Sequence, residues 1–224
     1  MIVRASSTLL ACLVAMPVFA QANIEKVNGT IRVDAGQVAG TLETVNGSIH
    51  IEAGATTRDA ETVNGSIKVG ANARTGGLET VNGSIRIEES VQVGGNIETV
   101  NGSVFVGRNG RVQGGVETVN GAIGLVDVDL TGGIGTVNGD VTVGAGSHVR
   151  GGIRYETSQS WISYTPKNGK KKNDPRVVIG PNAVVDGPLL FERKVELYIH
   201  STARTGAITG ATAVRYTTGR APIR

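Results

Sequence analysis

Glu43-Thr44-Val45-Asn46-Gly47-Ser48-Ile49 returns as Glu61-Thr62-Val63-Asn64-Gly65-Ser66-Ile67, and again as Glu79-Thr80-Val81-Asn82-Gly83-Ser84-Ile85. Val-Asn-Gly itself occurs seven times, with asparagines at Asn28, Asn46, Asn64, Asn82, Asn101, Asn120 and Asn138, spaced 18, 18, 18, 19, 19 and 18 residues apart. Self-similarity at a fixed short period marks a chain built of stacked units, each too small to bury its apolar face alone. Three and five positions after every Asn stands a branched apolar residue, from Ile31/Val33 and Ile49/Ile51 through Ile123/Leu125 to Val141/Val143. That alternation is a short, half-buried strand. Gly-Gly pairs at Gly76-Gly77, Gly94-Gly95, Gly114-Gly115, Gly132-Gly133 and Gly151-Gly152 recur between the strands. The pattern predicts an all-β fold, a single-stranded parallel β-helix (β-solenoid) of about 18 residues per coil. Equivalent residues then lie about 4.8 Å apart along the axis, so the repeat generates ladders of identical side chains.

Ladder positions follow from the alternation. Val27, Val45, Val63, Val81, Val100, Val119 and Val137 are expected to face inward with the two Ile/Val columns, each buried aliphatic contributing roughly 1.5–3 kcal/mol. The Asn-Gly pair suits a corner, because Asn tolerates the left-handed backbone region and Gly occupies it freely. A stacked column of Asn28, Asn46, Asn64, Asn82, Asn101, Asn120 and Asn138 is then a structural corner ladder satisfying backbone groups that the corner leaves unpaired. Five of these asparagines also match the N-x-Ser/Thr acceptor pattern, which a repeat produces without any modification being implied.

Composition narrows the alternatives. Of 224 residues 33 are Gly, while 3 Phe, 4 Tyr and 1 Trp are too few to fill a conventional core, which argues against a helix bundle. Gly follows no Gly-X-Y period, so a collagen triple helix is excluded. Residues 1–20 read as a signal peptide, with Arg4 as the positive region, Leu9 to Val18 as the apolar stretch and Val18-Phe19-Ala20 as the cleavage site. A lipoprotein box at Leu9-Leu10-Ala11-Cys12 is the less favoured alternative, since the apolar run continues past the cysteine. Cys12 is the only cysteine, so a processed chain has no disulfide. Residues 21–156 are regular coils, 157–176 an inserted basic loop, 177–210 the coils resumed, and 211–224 a C-terminal tail. About nine coils result. They are expected to be right-handed: Val63, Val69, Thr75, Val81, Ile87 and Val93 have the six-residue phase of left-handed hexapeptide helices, but those want a small residue where this chain has Ile67 and Ile85. Parallel crossovers also favour the right hand.

With its Val-Asn-Gly-x-Ile/Val-x-Val repeats between residues 24 and 143, the sequence resembles the bacterial envelope β-solenoids of the adhesin type. Ile179-Gly180-Pro181-Asn182-Ala183-Val184-Val185-Asp186-Gly187 is similar to the Ile-Gly-x-x-Ala-x-Val-x-Gly pattern of bactofilins, polymer-forming cytoskeletal proteins. Either resemblance implies a right-handed β-helix acting as scaffold, adhesin or polymer. Neither brings a catalytic residue set.

Chemistry-bearing residues are sparse. His50, His148 and His200 have no metal-ligand spacing and read as surface variation, and no Gly-x-Ser-x-Gly elbow occurs. Glu43, Glu61, Glu79, Glu98 and Glu117 fall in one column, where like charges repel unless a cation, or bases such as Lys68 and Arg86, relieve them. A solvated face is the simpler reading and a Ca²⁺ strip the alternative. Charge is uneven along the chain. Residues 21–150 hold 9 Lys/Arg and 14 Asp/Glu, residues 151–224 hold 12 and 5. The inserted loop concentrates Trp161, Tyr164, Lys167, Lys170, Lys171, Lys172 and Arg176, a set suited to an anionic polymer.

Together these features point to a non-enzymatic, exported β-solenoid that takes no cofactor and serves as a structural, adhesive or self-assembling element of the bacterial envelope, in the periplasm or at the cell surface. Expected partners are a second copy, by head-to-tail or edge association, and an acidic polysaccharide or anionic lipid surface, with no specific nucleic acid. The alternative is a carbohydrate-binding or polysaccharide-cleaving β-helix.

Overall fold

A computed structural model describes residues 22–157 and 174–222. Residues 1–20, expected to be a signal peptide, lie outside this range, as do Trp161, Tyr164, Lys167, Lys170, Lys171 and Lys172. Among the described residues every regular element is a strand, and every pairing is parallel. The strands form three sheets that wind around one apolar core. The first holds ten strands, from Ile24–Asn28 through Leu42–Asn46 and Leu78–Asn82 to Ile208–Thr209. The second also holds ten, from Ile31–Val33 through Ile49–Ile51 to Ala213–Tyr216, and the third seven short ones from Arg74–Thr75 to Arg204–Thr205. Register advances by one repeat per coil: Leu42 faces Ala60 and Ala60 faces Leu78, while Ile49 faces Ile67 and Ile67 faces Ile85. The chain is therefore a β-solenoid of about nine turns, roughly 43 Å long at the usual strand spacing.

The core is aliphatic. Ile49, Ile67 and Ile85 of the second sheet and Leu42, Ala60 and Leu78 of the first are all but fully buried. The valine column is not among them. Val27 is 67% exposed and Val45, Val63, Val100 and Val119 stand near 40%, so the expectation that this column faces inward is overturned. The reason is a change of phase at the corner. Alternation holds within Leu42–Asn46, where Leu42 and Thr44 point in, and within Ile49–Ile51, where Ile49 and Ile51 do. The bend at Gly47-Ser48 breaks the continuous pleat that would have carried the parity of Val45 to Ile49.

Threonine takes the inward place. Thr62, Thr80, Thr99 and Thr118 are buried, and each hydroxyl donates to the corner glycine carbonyl of the preceding coil: Thr62 to Gly47 at 2.8 Å, Thr80 to Gly65 at 2.9 Å, Thr99 to Gly83 at 3.0 Å and Thr118 to Gly102 at 3.1 Å. Tyr155 continues the column and reaches the Gly139 carbonyl at 2.6 Å. Thr136 Oγ1 is buried without a partner among the described residues. Thr80→Val should therefore cost about 1–2 kcal/mol, because it strands a carbonyl, whereas Thr136→Val should be neutral or slightly stabilising. Urea denaturation of the two variants checks this, and equal losses would show that the hydroxyl bonds carry no weight.

The Asn-Gly corner also differs from expectation. None of the seven asparagines has a positive φ, and of the seven glycines only Gly29 does. Glycine is needed there because coils approach closely: a Cβ on Gly47 would lie 2.1 Å from the Gly29 carbonyl oxygen, and one on Gly102 1.8 Å from that of Gly83. Left-handed backbone occurs at another corner, where Asn72, Ser90, Asn109, Asp127 and Asn182 have φ between 53° and 60°.

Two boundaries move. Arg176, assigned to the inserted loop, opens the strand Arg176–Ile179, and its N–H donates to the Asp140 carboxylate at 2.8 Å. Ala213–Tyr216, within the expected tail, pairs with Glu196–His200. Tyr216 turns inward, packs edge-on against His200 at 5.0 Å and donates to the Ile179 carbonyl at 3.2 Å. His200 is thus buried rather than a surface variation.

Candidate functional site

Outward positions of the first sheet carry two parallel columns. Glu43, Glu61, Glu79, Glu98 and Glu117 stand in register, preceded by Glu25, which the sequence reading left out although it lies three residues before Asn28 as the others do before theirs. The half-exposed valines run beside them. The acidic column ends at Gly135, and Arg154 follows in the next coil. Two shallow depressions lie along this face. One, about 530 Å³, is lined by Glu25, Glu43, Glu61 and their valines; the other, about 470 Å³, by Glu98, Glu117, Arg154 and Glu156.

The electrostatics of the column match its geometry. Burial first, and then the carboxylates of Glu79, Glu43 and Asp59, hold the Glu61 carboxyl above the ordinary carboxylate range. Relief from Lys68 and Arg86 is not what the fold provides, because both belong to the second sheet. Asn96 donates to Glu98 at 3.0 Å. Among the described residues no group of three or more His, Cys, Asp or Glu side chains is placed to hold a metal ion.

A second column was missed by the sequence reading. Arg32, His50, Lys68 and Arg86 occupy the central outward position of successive strands in the second sheet, and Phe105 follows. The signal was available, since each lies four residues after a repeat Asn. The Arg86 guanidinium sits 4.9 Å over the Phe105 ring, a contact that leaves its charge in place. Arg32 pairs with Glu52 and lies 3.3 Å from His50 Nδ1.

Between the two columns runs the asparagine ladder. Asn46 Nδ2 donates to Asn28 Oδ1 at 3.1 Å, Asn64 to Asn46 at 3.0 Å, and the chain continues through Asn82, Asn101 and Asn120 to Asn138. The amides bond one another rather than backbone groups, and they remain on the surface. Arg193 closes the ladder by donating to Asn138 Oδ1 and to the Val137 carbonyl. The asparagines thus form a continuous surface ladder of amide–amide bonds, a different set of bonds from the backbone contacts expected.

The C-terminal coils hold the remaining charged contacts. His148 Nε2 lies 2.6 Å from Asp186 Oδ2. Arg150 pairs with Asp129, and this hydrogen bond holds the Asp129 carboxyl below its usual range. Arg176, expected in an anion-binding set, lies with its guanidinium 4.8 Å from the Tyr198 ring centre and donates to the Pro222 carbonyl. It is thus occupied within the coil, and the other members of that set lie outside the described residues. Chemically, the described surface offers long, regular, oppositely charged ladders rather than one convergent cluster. Comparison with protein-family models, with curated proteins and with solved structures gave no match.

Proposed function

We propose that the chain is a non-enzymatic, exported β-solenoid that serves as a structural, adhesive or self-assembling element of a bacterial envelope, of the adhesin-like type its repeats resemble. The observation that carries this reading is the uninterrupted parallel ladder. Two ten-stranded sheets continue through about nine turns, with a third sheet of seven strands beside them, and among the described residues Ile24–Asn28 and Ala213–Tyr216 each pair on one side only. Such edges template addition of another chain. The acidic 21–150 and basic 151–224 portions favour head-to-tail contact, which grows into filaments unless the rotation closes. Export rests on the sequence of residues 1–20, and attachment to an acidic polysaccharide or anionic lipid surface on the lysines and aromatics of 157–176.

Light scattering and electron microscopy of the purified protein at low and high salt test the reading. Filaments or oligomers are expected at low ionic strength and should shrink as the Debye length falls from about 30 Å at 0.01 M to about 8 Å at 0.15 M. A protein that stays monomeric throughout contradicts self-assembly. The depression at Glu98, Glu117, Arg154 and Glu156 favours one other reading, a carbohydrate-binding or carbohydrate-cleaving face. New reducing ends from an acidic polysaccharide, lost in Glu117→Gln, would establish it.

A further inference from the structure

We propose that two copies of the chain associate side by side, the acidic, valine-lined face of the first sheet in one copy lying along the cationic column of the second sheet in the other. This rests on the self-assembly reading and adds to it a lateral contact distinct from the strand edges.

Pitch is the first argument. Glu25 to Glu117 and Arg32 to Arg86 are carried on strands of one solenoid, so both columns repeat at the same spacing of about 4.8 Å. When two rods lie with their axes aligned, Lys68 and Arg86 of one copy stand opposite carboxylates of two successive coils in the other, with Arg32 and His50, which already contact each other and, through Arg32, Glu52, continuing the same spacing.

Charge is the second. Among the described residues Glu43, Glu61, Glu79, Lys68 and Arg86 make no ion pair within their own copy, and the Glu61 carboxyl is disfavoured in its charged form first by burial and then by the carboxylates of Glu79, Glu43 and Asp59. A cationic column laid against it offsets the repulsion among the carboxylates, and the acidic column gives Lys68 and Arg86 ion-pair partners. Apolar surface is the third. Val45 and Val63 are about 40% exposed beside the acidic column, while Phe105 extends the cationic one. Contact along these faces covers both.

The size of the contact sets its strength. A ribbon of five coils, from Arg32 to Phe105 on the cationic side, is roughly 19 Å long and one sheet wide, and buries a few hundred Å² per copy, below the roughly 800 Å² per partner of stable complexes. The association is therefore weak, concentration-dependent and sensitive to salt. Each copy keeps one face of each kind unoccupied, so the contact is heterologous and repeats, giving bundles of rods rather than closed pairs unless the rotation closes.

Charge exchange tests the proposal in sedimentation and electron microscopy at low salt. One variant carries Glu43→Lys, Glu61→Lys and Glu79→Lys; a second carries Lys68→Glu and Arg86→Glu; a third carries all five. The first two should each weaken lateral association at least about tenfold, by opposing like charges, and the third should restore it because both faces have changed sign together. Circular dichroism establishes that each variant is folded, and Glu→Gln at the same three positions gives a milder form of the first. If all variants bundle as the wild type does, or the third fails to recover, the lateral contact is wrong while self-assembly stands. Association that strengthens with salt would instead place valine face on valine face and overturn the proposal. A wild-type protein that is monomeric at low salt removes the self-assembly reading, and this contact with it.

Discussion

Gly83→Ala is expected to destabilise the solenoid by more than about 3 kcal/mol, a loss out of scale for the addition of one methyl group. Its Cβ would stand 1.9 Å from the Gly65 carbonyl oxygen and 2.5 Å from the carbonyl carbon. Both atoms are backbone, so no rotamer change relieves the overlap. Relief requires the two coils to separate, yet at this corner they are held by Gly65 N–H to the Asn82 carbonyl at 3.1 Å and by Ile67 N–H to the Ser84 carbonyl at 3.1 Å. The hydroxyl bond from Thr80 to the Gly65 carbonyl would be disturbed as well. Because a solenoid is stabilised through nearest-neighbour interfaces, a forced gap in the middle should also divide one cooperative transition into two. Gly124→Ala is the control. It lies in an outward strand position where the nearest atom to a new Cβ is Phe105 Cδ2 at 3.5 Å, an ordinary contact. This variant should unfold within about 0.5 kcal/mol of wild type. Denaturant midpoints that coincide for the two variants would show that the corner has room and that glycine stands there for another reason.

The same corner shows what could be read from the sequence and what could not. Period, parallel stacking and approximate coil number follow from the spacing of Asn28 to Asn138, because a fixed repeat permits only one kind of neighbour relation. The inward phase of each strand does not follow from it. Leu42, Thr44, Ile49 and Ile51 point in while Val45 points out, and only the way the chain turns at Gly47-Ser48, a corner that Asn-Gly locates without fixing which side chains it turns inward, decides between this and the opposite choice. Hydrophobicity misled here: valine is more apolar than threonine, but Thr44 and its equivalents supply a hydroxyl for a carbonyl that the close glycine stack leaves unpaired. The cationic column was overlooked for a related reason. Arg32, His50, Lys68 and Arg86 differ in identity, and a search for identical residues finds Glu43 and Glu61 but not a column conserved only in charge type. The left-handed corner was hidden in the same way, since Gly54, Asn72, Ser90 and Asp127 share a backbone conformation rather than a side chain.

Leu78→Asp and Val81→Asp, three residues apart in one strand, should differ by several kcal/mol. Leu78 is 1% exposed and stands between Ala60 and Ile97 in the inward column. A carboxylate there loses the leucine's transfer free energy, roughly 1.5–3 kcal/mol, and is buried among aliphatic neighbours. An unpaired buried charge costs about 3–5 kcal/mol more, or is avoided only by taking up a proton at a similar expense. Val81 faces out beside Glu79 and is only partly covered. Aspartate at that position keeps its hydration and meets a like charge across solvent, at a cost of about 1 kcal/mol or less that salt should screen. Thermal and urea unfolding of both variants at low and high salt therefore separate two arrangements of the same strand. Large loss in Leu78→Asp with a small, salt-sensitive loss in Val81→Asp fixes leucine in the core and valine on the acidic face. Equal losses, or a larger one at Val81, would return the valine column to the interior and remove the apolar half of the surface on which lateral association depends.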